Sequence, residues 1–242
     1  MKRSSTASGI ALVCAVMLAC QPVARAQGPD PFAEGAAAYE RGDFAGAYAK
    51  WRVLADQGDA RAQSNIGTMY ATGSGVKQDA GEAVRWYQMA AQKGEKAAQT
   101  NLGAAYHDGV GVPVDPVEAM KWFRLAADQG YSQAQFSIGV LYDKGQGVKV
   151  DYAEAMKWYR LAAMQNNPNA IANIGAMYAL GHGVSQDYVQ AYLWFTNAVR
   201  LAPDAASRQQ QEQNRNLAVN KMTPQQASEA RRLAETWTPQ RP

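Results

Sequence analysis

The stretch Ile66-Gly67-Thr68-Met69-Tyr70 returns along the chain, with substitutions, at steps of 36 residues. Three residue types keep this step through four copies: Gly67, Gly103, Gly139 and Gly175; Tyr70, Tyr106, Tyr142 and Tyr178; Trp86, Trp122, Trp158 and Trp194. A period of roughly 20 to 50 residues indicates stacked supersecondary units, because one such unit cannot bury its apolar face alone. The sequence therefore predicts a solenoid.

Each repeat is predicted to form two helices. In residues 59–94, one face of the first helix carries Ala62, Ile66, Gly67 and Tyr70. The segment Gly73-Ser74-Gly75-Val76 then turns the chain. The packing face of the second helix carries Ala83, Trp86, Tyr87 and Ala90. Because no segment alternates with the period of a strand, the predicted fold class is all-α, an α/α solenoid of stacked helical hairpins.

The second helices carry start and stop signals. Asp79 followed by Glu82 is typical of a capping box, in which the aspartate accepts from the N3 amide and the glutamate reaches back to the aspartate amide. The same spacing recurs at Asp115/Glu118, Asp151/Glu154 and Asp187/Gln190. A left-handed residue is expected to end these helices, at Gly94, at Gly130, and at Asn166 or Asn167.

This unit resembles the Sel1-like repeat, a relative of the tetratricopeptide repeat with the motif A-x-x-N-[LI]-G-x-x-Y-x-x-G-x-G-V-x-x-D-x-x-x-A-x-x-W-[YF]-x-x-A. Four copies match, at residues 59–94, 95–130, 131–166 and 167–202. Ser137 replaces the motif asparagine in the third copy, and Pro203 follows the fourth copy where a glycine is expected. The resemblance implies a superhelix that binds other macromolecules.

The flanking segments are predicted to complete the solenoid. Residues 27–58 are interpreted as a degenerate, tetratricopeptide-like hairpin, with Ala47 and Trp51 as its packing pair. Residues 203–242 are interpreted as a C-terminal helical cap, which repeat arrays need to cover their last apolar face. Its final helix should begin with a capping box at Thr223 and Gln226 and carry an apolar stripe of Ala227, Ala230, Leu233, Ala234 and Trp237.

Residues 1–26 are typical of a secretory signal peptide. Lys2 and Arg3 precede the short apolar run Ile10–Ala19, and Ala24-Arg25-Ala26 is a cleavage signal. The expected location is therefore the bacterial periplasm, with no transmembrane segment in the mature chain. An uncleaved anchor and an outer-membrane lipoprotein acylated at Cys20 are the alternatives.

Removal of this leader changes the charge and the cysteine content. The full chain has 24 Lys and Arg against 21 Asp and Glu, but three of the cations and no acidic residue lie in the leader, so a mature chain has 21 of each. We therefore expect no nucleic-acid partner. Cys14 and Cys20 are also lost, which leaves no disulfide and no thiolate for zinc.

The motifs that imitate catalytic sites lack their required context. Gly73-Ser74-Gly75 follows a helix, whereas a dinucleotide-binding loop follows a strand. Ser74 and Lys77 match S-x-x-K but lack the S-D-N and K-T-G partners. His107 and His182 are expected to be solvated near turns, and the tryptophans to form inter-repeat core. We predict no catalytic residue, metal site or cofactor, so the protein is not expected to be an enzyme.

The exposed face of the first helices is the predicted binding site, because it lines the concave groove of tetratricopeptide arrays. By position, this groove stripe consists of Arg61, Asn65, Thr68, Thr72, Ala97, Asn101, Ala104, Asp108, Gln133, Ser137, Val140, Lys144, Asn169, Asn173, Ala176 and Leu180. Its proposed peptide-binding residues are Arg61, Asn65, Thr68, Asn101, Gln133 and Asn173. The alternative is that these asparagines define the repeat by satisfying a neighbouring backbone group.

Together these observations predict a non-enzymatic scaffold or adaptor that binds another protein or an extended peptide. Since relatives with this layout serve as envelope scaffolds and regulators, a second interpretation is a polysaccharide-associated scaffold acting with exopolysaccharide machinery. A third, minor interpretation is a penicillin-binding or β-lactamase-like hydrolase, because some cysteine-rich members of the family have been described in that way.

Export can be tested directly. If the leader is cleaved after Ala26, the intact mass of protein purified from the periplasm should correspond to a cysteine-free chain that begins at Gln27. A mass that retains Cys20 with attached acyl chains would instead identify a lipoprotein.

Overall fold

The computed structural model describes residues 30–238, which form twelve α-helices and no strand. In chain order the helices are α1 Pro31–Glu40, α2 Phe44–Asp56, α3 Ala60–Thr72, α4 Ala80–Gln92, α5 Lys96–Asp108, α6 Pro116–Asp128, α7 Ser132–Lys144, α8 Tyr152–Ala163, α9 Pro168–Leu180, α10 Tyr188–Arg200, α11 Ala205–Val219 and α12 Pro224–Ala234. The predicted signal peptide, the acylation alternative at Cys20 and residues 240–242 lie outside the described residues.

The helices pack as consecutive antiparallel pairs. We call α3, α5, α7 and α9 the A helices and α4, α6, α8 and α10 the B helices. Each B helix packs against the A helix before it. The B helices α4, α6 and α8 also pack against the A helix after them, whereas α10 packs against both α11 and α12. The predicted all-α stack of helical hairpins is confirmed.

A close contact between a glycine and an aromatic ring joins the two helices of every repeat. A methyl group at Gly139 would lie 2.5 Å from Cδ1 of Tyr159, and one at Gly67 would lie 2.7 Å from Tyr87. Gly103 and Gly175 stand in the same relation to Phe123 and Phe195. A β-carbon at any of these positions would overlap the ring, so the ring or the backbone would have to shift to admit it.

The N-terminal hairpin uses the same contact. A methyl group at Gly35 in α1 would lie 2.5 Å from Nε1 of Trp51 in α2. The Trp51 indole also donates a hydrogen bond to the Phe32 carbonyl at 3.1 Å. Residues 30–58 therefore share the packing of the four repeats, although their inter-helix turn is only three residues long.

The capping boxes predicted for the B helices form only in half. Asp79 Oδ1 accepts from the Glu82 amide at 3.0 Å, but the glutamate does not reach back. The Asp79 amide donates instead to the Tyr70 carbonyl at 2.9 Å, so it needs no second partner. The Glu82 carboxylate pairs with Arg85. In the other three repeats the backbone amides of Asp115, Asp151 and Asp187 likewise donate to the carbonyls of Tyr106, Tyr142 and Tyr178.

The last two helices close the described stack. A complete capping box starts α12, where Thr223 and Gln226 exchange hydrogen bonds of 2.9 and 3.2 Å. The α12 alanines Ala227, Ala230 and Ala234 are buried. Trp237 then meets Trp194 edge-on, with ring centroids 4.9 Å apart. Earlier in the chain, Asn166 is the left-handed residue of the connection from α8 to α9 (φ 60°), whereas Asn167 caps α9.

Buried glutamines link successive repeats, and the sequence analysis missed them. Gln63 and Gln99 donate to the carbonyls of Ala55 and Ala91, at 3.0 and 3.1 Å, near the end of the preceding helix. The third glutamine in this register, Gln135, accepts from Gln165 at 2.9 Å. Their spacing of 36 residues was available in the sequence. Gln63 and Gln99 thereby satisfy carbonyl groups near helix ends that would otherwise be buried without partners.

The glycine contact yields a stability prediction. Gly139→Ala should lower the free energy of unfolding by about 1–3 kcal/mol, because the added methyl group must displace the fully buried Tyr159 ring. Gly81→Ala in α4 is the matched control: it is exposed, and its nearest atom is 3.4 Å away, so it should stabilise by up to about 1 kcal/mol. Urea unfolding followed by circular dichroism measures both. Equal midpoints would contradict the packing argument.

Candidate functional site

Contacts between alternate helices indicate which side of the stack is the inner one. The A helix α3 approaches α5, and α11 approaches the A helix α9 in the same way. Within residues 30–238 no two B helices approach each other to the same extent. A stack curves toward the helices that lie closer together, so these two contacts favour the A helices as the lining of its concave face. All sixteen residues of the groove stripe are exposed or half-buried there.

Three of the pockets in the described part of the chain lie along this face. The first groove pocket, about 220 Å³, lies between α3, α4 and α5 and includes Tyr87 and Asn101. The second, about 240 Å³, includes Phe123 and Ser137. The third, about 380 Å³, lies between α9, α10 and α11 and includes Phe195. Each pocket is therefore lined by the aromatic ring that packs under the glycine of its repeat.

Asn101 lies beside the hydroxyl group of Tyr87 from the preceding repeat. The Tyr87 hydroxyl donates to Thr68 Oγ1 at 3.2 Å, so the ring connects two of the predicted site residues. Burial raises the pKa of Tyr87, and hydrogen bonds with Thr68 and Asn101 oppose that rise. The Thr68 hydroxyl itself donates to the Ser64 carbonyl.

Asn173 has the same relation to Tyr159, two repeats further on. Burial and then the charge of Asp143 raise the pKa of Tyr159, while a hydrogen bond with Asn173 opposes the rise. The Tyr159 hydroxyl lies 3.4 Å from the Asp143 carboxylate. Where the ring is Phe123, without a hydroxyl, the next repeat has Ser137 in place of the asparagine. Asn101 and Asn173 thus serve the fold as well as the groove surface.

The remaining predicted site residues are not brought together. Arg61 lies over the Phe32 ring at 4.3 Å and pairs with Asp59 at 3.2 Å, at the N-terminal end of the groove. Asn65 is half-buried on α3. The side-chain nitrogen of Asn167, Nδ2, lies 3.5 Å from the side-chain oxygen of Gln133. None of these three residues lines the groove pockets described above.

Helix α11 extends the groove, which the sequence analysis did not foresee. The residues that it and the following turn contribute to the third pocket are Asn214, Leu217, Ala218 and Lys221. Their spacing equals that of the residues that α5 contributes to the first pocket, Asn101, Ala104, Ala105 and Asp108. The signal was present in the sequence as N-x-x-[AL]-A-x-x-[DK], but the glutamine-rich composition of α11 obscured it. Helix α11 thus acts as a further A helix.

Both histidines are packed, in contrast to the solvated positions expected for them. The two ring nitrogens of His107 contact Asp108 and Gln146, the second at 3.0 Å across the junction of repeats two and three. His182 stacks on Tyr152 with ring centroids 4.1 Å apart. These contacts give both histidines a role in joining neighbouring repeats.

Other residues of the motifs considered in the sequence also lie in the repeat framework. The Ser74 hydroxyl is 2.8 Å from the Thr72 hydroxyl, in the turn after α3. Residues 30–238 hold no group of three or more His, Cys, Asp and Glu that could bind a metal ion. No helix in that range is long and apolar enough to span a bilayer.

The Sel1 repeat family profile matches residues 60–95, 96–131, 132–167 and 168–202. Each of these segments begins one residue later than the repeat read from the sequence. No curated protein matches the chain significantly.

Several solved structures are similar to the chain. A Sel1 repeat protein from Oxalobacter formigenes is 29% identical, with a TM-score of 0.67, over 84% of this chain and 98% of that one. The protective antigen c5321 of uropathogenic Escherichia coli, which displays an SLR fold, is 26% identical, with a TM-score of 0.64, over 85% of this chain and 53% of that one. The immunity protein Pa5087 from Pseudomonas aeruginosa shares the fold at 16% identity and a TM-score of 0.50, over 84% of each chain.

A double-mutant cycle tests the asparagine–tyrosine contact. Asn101→Ala should cost about 0.5–1.5 kcal/mol of stability in the parent and measurably less in a Tyr87→Phe background, because the hydroxyl partner is already gone. Thermal and urea unfolding of the four proteins give the coupling energy. Asn101→Ala combined with the distant Tyr159→Phe should be additive. Additivity in both cycles would show that Asn101 does not support the fold through Tyr87.

Proposed function

The chain belongs to the Sel1 repeat family, and we propose that it is a non-enzymatic scaffold of the bacterial periplasm that binds a partner protein through an extended peptide. The peptide lies along the concave face of the A helices. The single observation that carries this proposal is the recurrence of groove pockets on that face, each built from the same repeat positions.

The chemistry of the groove suits an extended peptide. An extended chain presents side chains at regular intervals, and repeated pockets receive them, while polar groups between the pockets bond its backbone. Asn101 lies in the first pocket and Ser137 in the second, beside apolar groups such as Ala104 and Val140. An asparagine amide has two donor hydrogens and an acceptor oxygen, so the contact with Tyr87 leaves part of Asn101 for a ligand.

The periplasmic location is supported by the leader-like residues 1–26. The balanced charge of the mature chain favours a protein partner over a polyanion such as nucleic acid.

Ala104 provides a sharp test, since it lines both the first and the second groove pockets. Ala104→Arg should fill them and weaken partner binding about tenfold or more, because an occupied pocket cannot accept a partner's side chain. Gln88→Arg, an exposed position on the B helix α4, is the matched control and should bind like the parent.

The measurement has two stages. Crosslinking in a periplasmic extract and mass spectrometry identify the partner, which is then titrated against the parent and both variants. Thermal melts check that all three are folded. Equal affinity of parent and Ala104→Arg would exclude the A-helix groove as the binding surface.

A further inference from the structure

We infer that the third groove pocket is the anchor site for the partner, and that it receives an apolar side chain of an extended peptide with a carboxylate side chain beside it. This inference rests on the proposed function and adds the chemistry of the segment that is recognised. Three independent features of the pocket carry it: its size, its exposed leucines and its charge.

The third pocket is larger and more apolar than its counterparts. Its volume is about 380 Å³, against about 220 and 240 Å³ for the first and second. Two leucines make the lining of the third pocket more apolar than that of the other two. Leu180 occupies the groove position held by Thr72, Asp108 and Lys144 in the other repeats, and Leu217 occupies the position of Ala104.

Both leucines are largely exposed although they line a pocket. Leu180 is 62% exposed and Leu217 is 63% exposed, on neighbouring helices α9 and α11. A single exposed leucine on a surface is ordinary, but two that line one concavity form an apolar patch of the kind that buries a ligand side chain. Phe195, which is itself buried, contributes an aromatic ring to the same lining.

The charge of the pocket rim is reversed relative to the first pocket. Lys221 occupies the position that corresponds to Asp108. The lining of the third pocket contains no carboxylate, and no Asp or Glu of residues 30–238 forms an ion pair with Lys221. An ammonium group at the rim of an apolar pocket favours a ligand that brings its own carboxylate. Asn214 supplies an amide beside it for the peptide backbone.

The position of the pocket explains why it would act as an anchor. Helix α12 packs on α10 and so does not continue the row of A helices beyond α11 within the described chain. The third pocket therefore lies at the C-terminal end of the groove. A peptide fixed there by one buried side chain can extend toward the first and second pockets, and buried anchors in desolvated pockets supply most of the binding energy in such interfaces.

The test uses a phage library of random peptides panned on the purified protein. We expect enriched peptides to carry Leu, Ile, Met or Phe next to Asp or Glu. One enriched peptide, synthesised with acetylated and amidated ends to remove terminal charges, is then titrated. Leu217→Asp and Lys221→Glu should each weaken it about tenfold or more. Lys221→Glu panned on its own should select Lys or Arg where the parent selects Asp or Glu.

Controls separate this inference from the proposed function. Leu125→Asp, at a 47% exposed leucine on the B helix α6, should leave binding unchanged, and melts should confirm that every variant is folded. Two results would contradict the anchor site but not the proposed binding in the groove. The first is enrichment of peptides without an apolar–acidic pair. The second is a peptide whose binding is lost with Ala104→Arg but unaffected by Leu217→Asp and Lys221→Glu. Peptides insensitive to all three groove variants, or no enrichment at all, would overturn both.

Discussion

The contact between a mid-helix glycine and the aromatic ring of the following helix is the constraint on which the rest of the structure depends. It brings the two helices of each hairpin close enough for the ring to lie directly against the A-helix backbone, as Tyr159 does at Gly139. Glycine in a helix interior costs about 0.5–1 kcal/mol relative to alanine. The buried ring offsets that cost, and the rings Tyr87, Phe123 and Phe195 also line the three groove pockets.

The identity of that ring also decides the chemistry of the groove. A tyrosine, as at Tyr87, brings a hydroxyl group to the concave face, where an asparagine of the next repeat contacts it. A phenylalanine, as at Phe123 and Phe195, brings no hydroxyl group to that face. Rings with and without a hydroxyl group therefore alternate along the four repeats, which varies the surface of a repetitive scaffold.

Helix α11 shows how a capping element can add to function. A cap must cover the apolar face of the last repeat, and α11 does so by packing on α10. Because it lies where a further A helix would lie, its own exposed face joins the groove. Because α11 does not have to match the repeat motif, it carries Leu217 and Lys221 at the positions that Ala104 and Asp108 occupy in α5. The most distinctive pocket thus arises where the repeat pattern ends.

The sequence alone determined the repeat period, the helical hairpins, the side-chain cap of each B helix and the face that stays exposed, because these follow from local spacing and helix geometry. Only tertiary packing decided which side chains and backbone groups contact one another. The Asp79 amide is occupied by the Tyr70 carbonyl, so the capping box stays half-formed; Asn101 meets the hydroxyl of a tyrosine in the previous repeat. Leu180 and Leu217 converge because α11 packs beside α9, a long-range contact that periodicity within a single helix does not encode.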